Sequence, residues 1–268
     1  MRKALLVLLV LPLAACGGGT KSNSQASNLT PVAYVKSAAA KTAQAPSEHS
    51  AVTANVTVSG QPVIITGAGD FDNKSHQGFM HADFSVSGLS GTVDEVLDGT
   101  TIYMKSPLFS DGLPKGKTWL KLDLQKALAS KGIDFSTLLS QNPSQTLAQL
   151  QSSGNVTKVG DETIDGVDTA HYRGRIDPAK LPQGAKIEAL TGAKYGPYDV
   201  WIGNDDGYVH RMTLSYSVKA QGSVARQTTD LTMNFSDFGK SVTVTVPSAS
   251  DSFDATNATI KGLGGLGG

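Results

Sequence analysis

The stretch Val156-Thr157-Lys158-Val159-Gly160-Asp161-Glu162-Thr163-Ile164-Asp165-Gly166-Val167-Asp168-Thr169-Ala170-His171-Tyr172-Arg173-Gly174-Arg175-Ile176 decides the fold. Two strand-like runs flank Asp165-Gly166. A two-residue type I′ turn needs positive φ at both central positions, and Asp-Gly is one of the pairs that supplies it. The reading is an antiparallel hairpin.

The same grammar recurs outward along the chain. Tyr198-Asp199-Val200-Trp201-Ile202 and the run from Tyr208 to Val218 flank Asn204-Asp205-Asp206-Gly207. Val93 to Leu97 and Thr101 to Lys105 flank Asp98-Gly99. Val52, Ala54, Val56 and Val58 alternate with Thr53, Asn55, Thr57 and Ser59, a period of two. Gly60-Gln61 reads as a short turn into Val63 to Asp70, where Gly67 and Gly69 would let the strand bend. Met80, Ala82, Phe84 and Val86 alternate with His81, Asp83 and Ser85. Trp119 to Leu122, Val224 to Phe235 and Val242 to Val246 bring the expectation to about eleven strands. Consecutive hairpins predict one mostly antiparallel meander, and a sheet of that width curls. The expected class is α+β: a strongly curved half-barrel with short helices covering its concave face.

Those helices have their own signals. Thr30-Pro31 is a start, with Thr as N-cap and Pro at the first helical position. Val32, Val35, Ala38, Ala39 and Thr42 keep helical spacing up to Pro46. Asp123 caps a segment through Ala129 that Gly132 stops. Asp134 opens a piece carrying Phe135, Leu138 and Leu139, and Asn142-Pro143 opens another carrying Leu147 and Leu150. A short helix with Ile187 and Leu190 is expected between Pro178 and Gly192.

The first 15 residues read as a signal peptide: Arg2 and Lys3, then an apolar run from Ala4 to Leu11 too short to span about 30 Å of hydrocarbon. Leu13-Ala14-Ala15-Cys16 follows, with the chain's single cysteine just after the small residues that suit a signal peptidase. Residues 16–29 are rich in Gly, Ser, Asn, Thr and Gln and read as a flexible tether. Residues 30–260 are expected to form one domain, followed by a Gly-rich tail at 261–268.

Composition excludes several functions. The formal net charge is zero, so no global positive field favours nucleic acid. Aromatics are 6% of residues, too few to expect a stacking platform for bases. One cysteine rules out an intrachain disulfide and any multi-cysteine metal site. Enzymatic signals are weak. There is no Gly-x-Ser-x-Gly elbow, and His49, His76, His81, His171 and His210 lack the helical i, i+4 pair of a zinc protease. Asp70-Phe71-Asp72-Asn73 and Asp205-Asp206-Gly207 read as turns, not cation loops. No catalysis, metal or cofactor is expected.

The motif around Cys16 resembles the lipobox of bacterial lipoproteins. That resemblance implies a diacylglycerol on the Cys16 thiol, cleavage before it, and attachment to the extracytoplasmic face of the cell membrane. Four further stretches resemble the LppX/LprG-type lipoproteins of actinobacteria. They are residues 160–172, Tyr198 to Ile202, Val209-His210-Arg211-Met212, and Phe235-Ser236-Asp237-Phe238-Gly239-Lys240 running to Val246-Pro247. The resemblance covers nearly the whole mature chain and implies a LolA-like fold enclosing an apolar cavity for acyl chains. It also implies that residues 30–260 bind an acylated lipid or glycolipid and move or present it in the envelope. An envelope transporter or sensor is expected as a further partner.

Shielding an acyl chain from water is worth about 0.8 kcal/mol per CH2. A carrier therefore needs apolar side chains around a gap that the protein leaves unfilled. The candidate lining is Val56, Val58, Ile65, Phe84 and Val86 from the sheet with Leu138, Leu139, Leu147 and Leu150 from the helices. The competing expectation is a non-catalytic interaction lipoprotein of the same fold with a filled core.

Overall fold

A computed structural model of the chain describes residues 29–86, 88–129, 156–176, 188, 192–219 and 226–259. Helix α1 spans Pro31–Ala43, as its cap signal predicts: Thr30 accepts a hydrogen bond from the Ala33 amide at 3.3 Å, and Pro31 occupies the first position. There follow β1 Ser47–Val58, β2 Gln61–Asp72, β3 Gln77–Val86, β4 Leu89–Asp98 and β5 Thr101–Lys105. A one-turn helix α2 (Pro107–Ser110), β6 Trp119–Asp123 and α3 Leu124–Ala129 come next. The second half holds β7 Thr157–Ile164, β8 Val167–Arg175, β9 Lys194–Gly203, β10 Val209–Val218, β11 Gln227–Ser236 and β12 Ser252–Asp254.

All twelve strands form one sheet in the order β12-β6-β5-β4-β3-β2-β1-β11-β10-β9-β8-β7. Each meander supplies one half, and the long-range antiparallel pairing of β1 with β11 joins them at the centre. The sheet is open, with β7 and β12 at its edges. Every neighbouring pair is antiparallel except β12 with β6.

The tight turns follow local chemistry. Asp165 and Gly166 both take positive φ, 52° and 83°, and join β7 to β8 as a type I′ turn requires. The β1–β2 turn is Ser59-Gly60, one residue earlier than expected, with φ of 51° and 84°; Gln61 already pairs with Val58. The Asp70–Asn73 segment is a strand end and turn, in which Asp72 accepts from the Lys74 and Ser75 amides. Asp123 caps α3 through the Lys126 amide at 2.9 Å.

The sheet has twelve strands, in line with the expected count of about eleven. Two expectations need correction. Val242 to Val246 alternates in exposure but joins no ladder; Ser252–Asp254 enters the sheet instead, beside Trp119–Lys121. Gly67 and Gly69 serve close approach rather than bending alone. A Cβ on Gly69 would collide with the Phe79 carbonyl of the neighbouring strand, and one on Gly67 would press on Ala82.

Pairing registers carry one face of the sheet across the whole molecule. We call inner the face on which α1 packs: Val35 and Ala38 of α1 share a buried cluster with Ala170, Tyr172, Val200, Ile202 and Val209. Followed through the registers, the same face carries Met233, Leu231, Val52, Ala54, Val56, Val58, Val63 and Met80, the buried cluster of the central strands. The opposite, outer face is polar along β1, with Thr53, Asn55 and Thr57 exposed, which explains the alternation read from the sequence.

Candidate functional site

Among the described residues, α1 packs on the β7–β10 half of the inner face. The β1–β4 and β11 part of that face carries the sheet residues expected to line a cavity. Val56 and Val58 are buried on β1, and Ile65 and Val86 pack against the same cluster. Phe84 is the direct cross-strand partner of Ile65. The five sheet candidates therefore come together on one face. Leu138, Leu139, Leu147 and Leu150 lie outside the described residues.

The registers order this surface into rungs running across the strands. Val86, Val63 and Val56 make one; Phe84, Ile65, Ala54 and Leu231 the next; Ala82, Gly67, Val52 and Met233 the third. At the outer end of the first rung Leu89, paired with Val86, is 56% exposed. Aromatic rings lie over glycines inside the ladder. A Cβ on Gly91 would strike the Phe84 ring, and the pairs Phe71–Gly78 and Tyr198–Gly174 repeat the arrangement. The missing side chain leaves the ring a seat on the neighbouring backbone. Single glycines in strands were the available sequence signal, but only the register shows which aromatic each one faces.

Beyond the third rung the inner face changes character. The fourth holds Leu120, Met104, Glu95, Met80, Gly69 and Ser50, and the fifth holds Leu122, Ile102, Leu97, Gly78, Phe71 and Glu48. Glu95 sits between Met80 and Met104, and no described interaction engages its carboxyl. Burial pushes it up to about 7. Burial likewise pushes Glu48 up to about 7, opposed by a hydrogen bond from the Asn73 side chain. Sequence reasoning missed both. Each lies in a stretch with polar neighbours, and only the pairing register puts it on the apolar side.

The α1-covered half is closed by contact. Tyr34 of α1 packs on Tyr172 with ring centroids 5.4 Å apart, and Ile202 beneath the helix is 0% exposed. Thr42 near the end of α1 accepts from the Val209 amide at 2.8 Å, while Lys41 donates to the Asp206 carbonyl and lies over the Tyr208 ring. Burial raises the Tyr34 and Tyr172 phenols above their ordinary range.

The outer face of the same half carries a polar network. His171, 5% exposed, reaches Glu162 with Nδ1 at 2.8 Å and Asp199 with Nε2 at 2.7 Å, and stacks on Trp201 at 4.2 Å. The Trp201 indole donates to Glu162 at 3.0 Å, and Arg173 donates to Asp199 at 2.8 Å. The Trp201 and His171 bonds hold the Glu162 carboxyl below the usual carboxylate range. His49–Asp70 (2.7 Å) and His81–Asp94 (2.6 Å) are similar pairs on the outer face of β1–β4. The Asp94 hydrogen bond raises His81. No group of three or more His, Cys, Asp or Glu is placed to hold a metal among the described residues. No helix among them is long and apolar enough to cross a membrane.

The mostly antiparallel, open twelve-stranded sheet with few short helices among the described residues agrees with the fold class expected from the sequence. Residues 30–244 match the family model described as LppX_LprAFG lipoprotein, and the chain belongs to that lipoprotein family. Among curated proteins it is 26% identical over 155 residues to a protein of 31.2 kDa from the rplA–rplJ intergenic region of Streptomyces griseus. That match takes in 52% of this chain and 48% of the other, so the chain spans about half the length of the curated relative it matches. Among solved structures, LprF from Mycobacterium bovis is similar at 20% identity and a TM-score of 0.49, over 82% of this chain and 99% of that one. LppX from Mycobacterium tuberculosis is similar at 19% identity and a TM-score of 0.47, over 80% and 98%.

Proposed function

We propose that this chain is a membrane-tethered envelope lipoprotein that holds the acyl chains of a lipid or glycolipid against the inner face of β1–β4 and β11, and carries or presents that lipid. In this reading Cys16 bears the diacylglycerol anchor, residues 16–29 are the leash, and residues 30–260 are the lipid-holding domain. The supporting observation is the run of three apolar rungs from Val86 to Met233, on a part of the inner face that α1 does not cover among the described residues. Partners would be the membrane, the lipid, and an envelope transporter or sensor that receives it.

Native mass spectrometry of the full chain carrying Cys16→Ser, before and after delipidation, tests the proposal. The expected result is a mass excess equal to an acylated lipid that delipidation removes. Identical masses would overturn it. In cells, Cys16→Ser is expected to shift the protein out of the membrane fraction; an unchanged location would contradict the anchor.

One observation favours a second reading. Val56 is only 2% exposed, so the chain itself shields part of this face. A filled core of that kind would suit a non-catalytic interaction lipoprotein acting on a sensor or transporter, and the identical masses would then support it.

A further inference from the structure

We propose that Glu95 is a polar subsite within the lipid-holding face, one that hydrogen-bonds an uncharged, hydroxyl-bearing lipid headgroup and disfavours an anionic one. The inference rests on the carrier reading above and adds the class of headgroup.

The geometry comes from the rungs. Three consecutive rungs of the inner face are apolar across β1–β3, and carboxyls appear only in the fourth and fifth, at Glu95 and Glu48. An amphipathic ligand laid along the strands would match that order, with chains on the first three rungs and a polar group at the fourth. Among the described residues, the groups that flank Glu95 in the pairing registers are apolar. These are Met80 on β3 and Met104 on β5, with Gly78, Ala82 and Ile102 on the adjoining rungs; α2, which also lies near β4, carries no titratable side chain. The charged groups of the same strands, His81, Asp83, Asp94, Asp98 and Lys105, alternate onto the outer face. Glu48 is the other carboxyl on the inner face of β1–β4.

A half-buried carboxyl flanked by apolar side chains is favoured by a hydrogen-bond partner or by its proton. Glu95 has no such partner among the described residues. A protonated carboxyl offers one O–H donor and a carbonyl acceptor, which matches a hydroxyl that both accepts and donates. A phosphate placed in the same apolar setting would meet a carboxyl with no cation beside it, an arrangement that low polarity makes more repulsive. The raised ionisation of Glu95, to about 7, agrees with this role. The neutral form would persist to near neutrality, and ionisation above it would charge the surface that holds the chains.

The test uses the full chain with Cys16→Ser and two probes of identical acyl chains, dioleoylglycerol and dioleoyl phosphatidic acid, with retention measured at pH 5.5 and pH 8.5. The expected result is dioleoylglycerol retention about tenfold stronger at the lower pH, as one unit of differential protonation would give, with phosphatidic acid weaker at both. Glu95→Gln keeps donor and acceptor without ionising, so it should hold dioleoylglycerol at the low-pH level throughout. Glu95→Leu should still take up acyl chains but lose the preference between headgroups. Variants that keep the parental pH profile and headgroup ratio would overturn the subsite while leaving the carrier reading intact. Failure of the parent and both variants to retain either probe at either pH would instead overturn the carrier reading and the subsite with it.

Discussion

The two halves of the sheet are built from the same hairpins, yet they end in opposite conditions. In the β7–β10 half, α1 lies on the inner face, Ile202 is sealed beneath it, and the outer face is tied by His171 to Glu162 and Asp199. In the β1–β4 half the inner face carries Phe84 seated over Gly91, the exposed Leu89, and a Glu95 carboxyl with no hydrogen-bond partner among the described residues. One half satisfies its groups internally. The other holds a half-buried carboxyl, Glu95, among apolar neighbours on the same face. The difference lies in what covers each half: α1 lies over the β7–β10 strands, while the buried cluster of β1, β2, β3 and β11 has no described helix on it.

The largest expected effect lies in the closed half. Ile202→Ala should destabilise the chain by about 3–4 kcal/mol in urea unfolding, because a fully enclosed site collapses poorly around the cavity left behind. The same truncation at the part-buried Ile65 should cost about half as much. Equal losses at the two positions would break the contrast between the halves.

Next comes the pH dependence of stability. The folded chain holds protons on Glu95 and Glu48 to about pH 7, whereas an unfolded Glu releases its proton near pH 4.3. Between those values the folded state binds more protons, so stability falls as pH rises through that window and levels off above it. For Glu95 the loss is about 3 kcal/mol as an order of magnitude. Chemical denaturation between pH 4.5 and 8 should show the decline, and Glu95→Gln should flatten part of it. A decline of the same depth in the variant would remove Glu95 as its source.

The smallest effect is at the helix cap. Thr30→Ala should cost about 1 kcal/mol, the usual worth of an N-cap hydroxyl. Because α1 covers the β7–β10 half, lipid retention should barely change. A large loss of retention would move the binding surface under the helix and undo the division proposed here.

Much of this organisation was legible locally. Asp165-Gly166 specifies its turn because positive φ is needed at both positions, and Thr30-Pro31 specifies a helix start because the cap and the fixed φ act within one turn. Val52 to Val58 shows its buried face because a half-buried strand alternates with period two. The shift of the β1–β2 turn by one residue, and the entry of Ser252–Asp254 into the sheet in place of Val242–Val246, were not legible. Competing short runs with similar propensity are decided by which edge the folded sheet offers, and β6 offers its edge to the later run.

The candidate site divides in the same way. Val56, Val58, Ile65, Phe84 and Val86 share a face by strand parity, which any reader of the chain can count. Glu95 joins them only because β4 pairs with β3 in the register that sets Glu95 opposite Met80. A slip of one residue would have turned that carboxyl to the solvent side.

By itself, then, the amino-acid order determined the hairpins, the cap of α1, the lipobox-like motif at Cys16 and the alternation of the strands, since each depends on residues within a few positions of one another. Tertiary structure alone decided that β1 meets β11, that α1 roofs one half of the inner face, and that two carboxyls lie on its apolar side. Those outcomes depend on contacts between segments far apart in the chain, whose free energy exists only once the sheet has assembled.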